Sequence, residues 1–267
     1  GRGQFLSRPW FVCPSIERNV IYLCIPAHNE GRTIGVLLWK IRNTLGEFSR
    51  DYRIVVHDDA STDDTQAALE RYQRVLPLTL LGSQDRVGYG RSVEKLLRHV
   101  VENASYPKRD CAVILQGDFT ENPDDVISLV KMLEGGADIV AGVTDMNGHR
   151  MPLGVRIVRN LSRWPLSTVF RGAPVSDPLN GLRAYRVIVL KKALRDGPGE
   201  EPLVRTEGWA ANVELLSRLV PHARRIAEMP SEVRHDLRQR ESRFRPLSTL
   251  MALMKLRRRD LWPTSNP

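Results

Sequence analysis

Residues 113–123 read VILQGDFTENP, an apolar run that ends in a single carboxylate, Asp118, flanked by Gln116 and Thr120. Asn122 then offers an N-cap and Pro123 a first helical residue. Val126, Leu129, Val130 and Leu133 make one apolar stripe until Gly135 and Gly136 stop it. The stretch predicts a buried strand, an acidic turn and an amphipathic helix.

The same unit recurs on the N-terminal side. NVIYLCIP (residues 19–26) reads as a strand, followed by a helix with Ile34, Leu37, Leu38, Ile41 and Leu45 on one face. YRIVVHDD (52–59) is a second strand, after which Ser61 or Thr62 is expected to cap a helix whose first turn carries Asp63 and Asp64. PLTLLGS (77–83) precedes a helix with Val93, Leu96, Leu97 and Val100 on one side, and ADIVAGV (137–143) is a further strand. This alternation predicts an α/β domain with a mostly parallel central sheet and helices on both faces, in which ligands collect at the carboxyl ends of the strands. Three polar clusters have that address: PAHNE (26–30), HDDASTDDT (57–65) and QGDFTENP (116–123).

The chain has 267 residues, 42% of them hydrophobic, enough for one domain with an appendage. Forty Lys and Arg against thirty-one Asp and Glu give a formal net charge of +9, which favours anionic partners. Cys13, Cys24 and Cys111 form no CxxC pair, and the expectation is a reducing compartment. No stretch reaches the roughly 18 apolar residues of a membrane span. The expected organisation is an N-terminal extension (1–18), a catalytic domain (19–230), and an arginine-rich loop with an amphipathic, basic C-terminal tail (231–267).

Taken singly, each polar cluster also reads as helix capping or a polar turn. Their order does not. IPAHNE, VVHDDASTDDT, VGYGRSV, VILQGDFTENP and DPLNGLRAYR, in that succession, resemble family-2 glycosyltransferases of the Rossmann-like GT-A fold, and among them the dolichol-phosphate mannose synthase group of polyprenyl-phosphate glycosyltransferases. The resemblance implies a donor nucleotide held by Pro26, Ala27, Glu30, Asp58 and Asp59, with Gln116, Gly117 and Arg91 beside its phosphates. It also implies Mg²⁺ or Mn²⁺ at the family's DxD motif. Asp118 matches the second acid, Gln116 stands in place of the first, and Thr120 occupies the next ligand position. One carboxylate plus donor phosphates can hold such a cation, because it prefers oxygen ligands and keeps several waters.

The resemblance places Asp177, Asn180 and Arg183 on the acceptor side, an internal Asp177–Arg183 pair being the competing reading. Glu207 or Asp177 would act as base for a neutral acceptor, whereas a phosphate acceptor is already anionic. Glu214 is expected to hold structure. Arg238, Arg240, Ser242 and Arg243, with Arg245, are similar to the family's late phosphate-closing loop, with Arg240 where Gly is usual. The tail helix, Leu250 to Leu256 before Arg257, Arg258 and Arg259, would rest on an anionic membrane surface or dock on the core.

The implied activity is inverting, metal-dependent hexosyl transfer from a nucleoside-diphosphate sugar, GDP-mannose-like or UDP-linked, to a polyprenyl phosphate. The alternative acceptor is a hydroxyl of a soluble small molecule. The expected location is cytoplasmic, peripheral on the cytosolic face of a membrane. A non-catalytic, lipid-tethered protein is a further class. Nucleic acid is not an expected partner, since no aromatic-and-basic reading motif is present.

Overall fold

A computed structural model describes residues 19–144, 170–197, 201–231, 246–256 and 261–262. Strand β1 (Val20–Ala27) leads to α1 (Ile34–Gly46), β2 (Asp51–Asp59) to α2 (Thr65–Gln73), and β3 (Leu78–Ser83) to α3 (Tyr89–Asn103). Then come β4 (Cys111–Ile114), α4 (Asp125–Glu134), β5 (Ile139–Thr144), β6 (Arg183–Arg186) and α5 (Val187–Asp196). The chain continues with α6 (Trp209–Leu219), a short 3₁₀ turn (Val220–His222), β7 (Ile226–Ser231) and α7 (Pro246–Leu256).

The strands form one seven-stranded sheet in the order β3-β2-β1-β4-β6-β5-β7. All pairings are parallel except those of β6, which runs antiparallel to both β4 and β5. β1 is central and apolar on both faces, as buried parallel strands are. Ile21, Leu23 and Ile25 pack under α1, α2 and α4, while Tyr22 and Cys24 pack on the opposite face with α3, α5 and α6. The expected helix stripes are the buried faces of α1, α3 and α4. Gly135 caps α4, and Gly136 takes φ +102° just beyond it.

Two local expectations are corrected. Ser61 and Thr62 do not cap α2, which starts at Thr65; their side chains are drawn to Asn29, whose N–H donates to Ser61 Oγ at 2.8 Å and whose Oδ1 accepts the Thr62 N–H at 2.7 Å. Asn122 closes a turn, its Oδ1 accepting the Asp124 N–H at 3.1 Å, and the regular helix begins at Asp125. The tail helix α7 buries Leu253 and Leu256 against Leu179, Ala210 and Val213, and leaves Met251 and Met254 about half exposed at 56% and 47%. Core docking thus takes one side of it. β7 ends at Ser231. Cys24 and Cys111 are free, buried thiols, the latter pushed up to about 12 by burial, so both behave as small apolar groups; Cys13 lies outside the described residues.

Candidate functional site

The carboxyl ends of β1, β2 and β4 are stitched into one surface. Register sets Pro26 opposite His57 and Ala27 opposite Asp58. From the turn after β1, the Glu30 N–H donates to Thr65 Oγ1 at 2.8 Å and the Gly31 N–H to Asp63 at 3.1 Å, tying it to the turn after β2. Thr33 Oγ1 donates to the Gly117 carbonyl at 3.0 Å and so ties it to the turn after β4. Gly117 lies so close to Pro26 and Glu30 that a Cβ there would stand 3.3 Å from the Pro26 carbonyl oxygen and 3.4 Å from Glu30 Cγ. Pro26, Ala27, Glu30 and Gly117 are therefore neighbours. Asp58 closes its own turn, with Oδ1 accepting from the Ser61 N–H and hydroxyl.

Asp59 has both oxygens committed: Oδ1 accepts the Val87 N–H at 2.6 Å and Oδ2 the Gly88 N–H at 2.9 Å, with Arg86 Nε 3.9 Å away. The Gly90 N–H donates to Glu207 Oε2 at 3.3 Å. Burial raises the Glu207 carboxyl above its ordinary range against the pull of the helix-end amides; nearby Asp59 adds to the rise and Arg86 opposes it. Arg91 pairs with Glu94 at 3.1 Å on the first turns of α3. Glu214 accepts the N–H groups of Arg205 and Thr206 and the Thr206 hydroxyl, each at 2.8 Å, the structural role expected of it.

Asp118 is buried at 1% exposure, and its Oδ1 accepts the Thr120 N–H at 3.2 Å and the Thr120 hydroxyl at 2.6 Å. Phe119 between them has φ +60°, a conformation held by the surrounding turn. Glu121, an acid the sequence reading passed over, is also buried and accepts the Gln116 N–H at 2.8 Å. Burial pushes its carboxyl up to about 8; Asp118 and Asp125 add to the rise, Gln116 and Arg183 oppose it. The signal that could have found Glu121 was its spacing of three from Asp118 in the same turn. The Gln116 side chain turns toward Gly181, its Nε2 lying 3.2 Å from where a Cβ on Gly181 would sit.

At the start of β6 and the end of β5, the Thr144 N–H donates to Asp177 at 3.3 Å. Asn180 Nδ2 donates to Thr144 Oγ1 at 3.1 Å and to Ser231 Oγ at 3.4 Å, and its Oδ1 accepts the Leu182 N–H at 2.9 Å. Arg183, 1% exposed, donates to the carbonyl oxygens of Asn212 and Pro178. Asn180 and Arg183 thus brace the entry to β6. Arg238, Arg240, Ser242 and Arg243 lie outside the described residues, as do Arg245 and Arg257 to Arg259.

No group of three or more His, Cys, Asp or Glu side chains converges as a metal cage among the described residues. What Asp118 offers is an oxygen donor in a fixed turn. That fits a hard divalent cation completed by phosphate oxygens and water, and fits a thiolate-loving metal poorly. Among the described residues no helix is long and apolar enough to cross a membrane.

Residues 22–194, more than half of the chain, match the family model for glycosyl transferase family 2. An undecaprenyl-phosphate 4-deoxy-4-formamido-L-arabinose transferase of Pseudomonas fluorescens (strain Pf0-1) is 25% identical over 180 residues, covering 65% of this chain and 49% of the relative. The protein of that name from Pseudomonas syringae pv. syringae (strain B728a) is 23% identical with the same coverage. The chain spans about half the length of these curated relatives. Among solved structures, glucosyl-3-phosphoglycerate synthase from Mycobacterium tuberculosis in complex with Mn²⁺, UDP and phosphoglyceric acid aligns with a TM-score of 0.60 at 21% identity, covering 93% of this chain and 81% of that one. At that identity the likeness speaks for the fold, which is GT-A.

Proposed function

Because the chain belongs to glycosyl transferase family 2, we propose that it moves a sugar from a nucleoside-diphosphate donor to a polyprenyl phosphate. The observation that carries this reading is the convergence of three strand ends on one surface, with Asp118 buried and oriented within it. The names of the curated relatives support the acceptor class, and the UDP and Mn²⁺ in the structural neighbour support the donor chemistry. GDP and UDP are the two candidate nucleotides.

In this reading Pro26, Ala27, Glu30 and Gly117 form the floor under the nucleotide. Asp58 keeps one carboxylate oxygen for a base or ribose, since among the described residues only its Oδ1 is engaged. Asp59 acts indirectly, by holding the loop before α3. Asp118 would hold Mg²⁺ or Mn²⁺ together with the donor phosphates, and Thr120 orients Asp118 through its hydroxyl. A bound cation would offset the charge of the departing diphosphate. A phosphate acceptor attacks as an anion, so no side chain has to remove a proton. Arg91 adds positive charge at the mouth while shared with Glu94. The exposed Met251 and Met254 on α7 favour contact with the membrane that carries such an acceptor.

Calorimetric titration of GDP and UDP, each with and without Mn²⁺, is the first test, followed by transfer assays with polyprenyl phosphate in anionic vesicles and with soluble hydroxyl acceptors. Metal-dependent binding of one nucleotide is expected, with Asp118→Ala abolishing it and lowering transfer at least about a hundredfold. Wild-type transfer by Asp118→Ala would remove the metal assignment. Transfer to hydroxyl acceptors alone would replace the lipid acceptor.

A further inference from the structure

Three backbone amides at the entry to α3, those of Val87, Gly88 and Gly90, are divided between two carboxylates from distant parts of the chain. Asp59, at the end of β2, takes Val87 and Gly88. Glu207, just before α6, takes Gly90. Gly90 is a first-turn donor of α3, which no carbonyl within the helix can satisfy, and a carboxylate at the positive end of a helix is well placed to accept it. Contact is tight on both sides. A Cβ on Gly88, at φ +89°, would overlap the Glu207 carboxylate, and one on Gly90 would overlap the Thr206 carbonyl oxygen.

The segment carrying Glu207 is itself fixed. Glu214, one turn into α6, holds the amides of Arg205 and Thr206. Tyr89 adds a second tie, its hydroxyl donating to Asn212 Oδ1 of α6 at 2.9 Å. The loop is thus bound to the β2 end by Asp59 and to α6 by Glu207 and Tyr89. Arg86 is the cation beside both acids.

We infer that Glu207 is a positioning residue: with Asp59 it clamps the Val87–Gly90 loop, and so joins the nucleotide side of the site to the helix on the acceptor side. This rests on the transferase reading above for its kinetic consequence, but not for its geometry. A carboxylate bonded to a first-turn amide of α3 and packed against Gly88 is built to hold a loop.

Amide hydrogen exchange across residues 87–90 in nucleotide-free protein tests the geometry, and steady-state kinetics test the role. In Glu207→Ala the Gly90 amide should exchange at least about tenfold faster, matching loss of a typical charge-assisted hydrogen bond. Donor KM should rise about tenfold while kcat falls by less than that. Glu207→Gln should recover most of both, because its amide oxygen still accepts an N–H although it cannot take up a proton. Unchanged exchange in a folded Glu207→Ala overturns the clamp. Equal losses in kcat of about a hundredfold or more in both variants overturn the positioning role and make Glu207 a general base. Should Glu207→Ala not fold, retention of kcat by Glu207→Gln decides in the same way. A wild-type protein that transfers no sugar overturns the transferase reading, and exchange alone then decides the clamp.

Discussion

Asn29, Ala60 and Phe119 are the non-glycine residues with positive φ among the described residues, at +51°, +52° and +60°, and they fall one to each of the turns after β1, β2 and β4. Such conformations cost of order 1 kcal/mol or more each and persist where neighbours over-determine them, as at ligand sites. His57, one strand position before the acids, shows how closely this rim is packed. It is fully buried with Nε2 3.0 Å from Ser83 Oγ, and burial and nearby Lys95 lower its pKa, against the opposing pull of Asp59 and Asp58. Below pH 6.5 the unfolded chain therefore binds more protons than the folded one, so stability is lost as pH falls from about 6.5 toward the folded value. Replacing His57 by Gln should flatten the decline in Tm between pH 7 and pH 5; parallel curves for the two proteins would sink this assignment. At this scale the place of Asp118, at the end of a buried apolar strand, was legible, because an apolar run that stops at an acid marks where a strand meets the sheet's polar end. Glu121 was not, because only the folded turn shows its carboxylate returning to the Gln116 amide.

The elements show where periodicity suffices. The stripes of α1, α3 and α4 were readable because each helix buries one face against the sheet. Strand β6 was not read as a strand: it has four residues, and its sequence, RAYR, carries an arginine at each end. It forms because β4 and β5 leave a gap that its backbone fills in antiparallel register, pairing Ile114 with Arg183 and Ala141 with Arg183. Helix α3 meets the 204–211 segment at its first turn, where a Cβ on Gly90 would also lie 3.0 Å from Val204 Cγ1 and 3.2 Å from Ala211 Cβ. Gly90→Ala should therefore destabilise the protein by roughly 1–3 kcal/mol, the usual cost of overpacking. Gly82→Ala on β3, where a Cβ meets nothing within 4 Å, is the control and should stay within about 0.5 kcal/mol. Urea denaturation measures both; equal midpoints would mean that this contact yields freely.

Across the whole molecule, Arg183 ties the entry of β6 to α6. Its guanidinium donates to the carbonyls of Pro178 and Asn212. Arg183→Met should cost about 2–5 kcal/mol, since it leaves two buried carbonyl acceptors without their charged donor; a change below about 1 kcal/mol in denaturant unfolding would show that the partners find other donors. The sequence by itself determined the βα succession, the buried faces of its helices and the three acidic turns. These follow from local spacing and from a strand's need to end in polar residues at the sheet edge. Only the tertiary structure decided what each acid touches. Whether Asp59 and Glu207 face a ligand or a loop, whether Asn180 and Arg183 touch an acceptor or brace β6, and which face of α7 is buried all depend on neighbours far away in the chain. A hydrogen bond is a matter of a few tenths of an ångström, and no spacing in sequence fixes that.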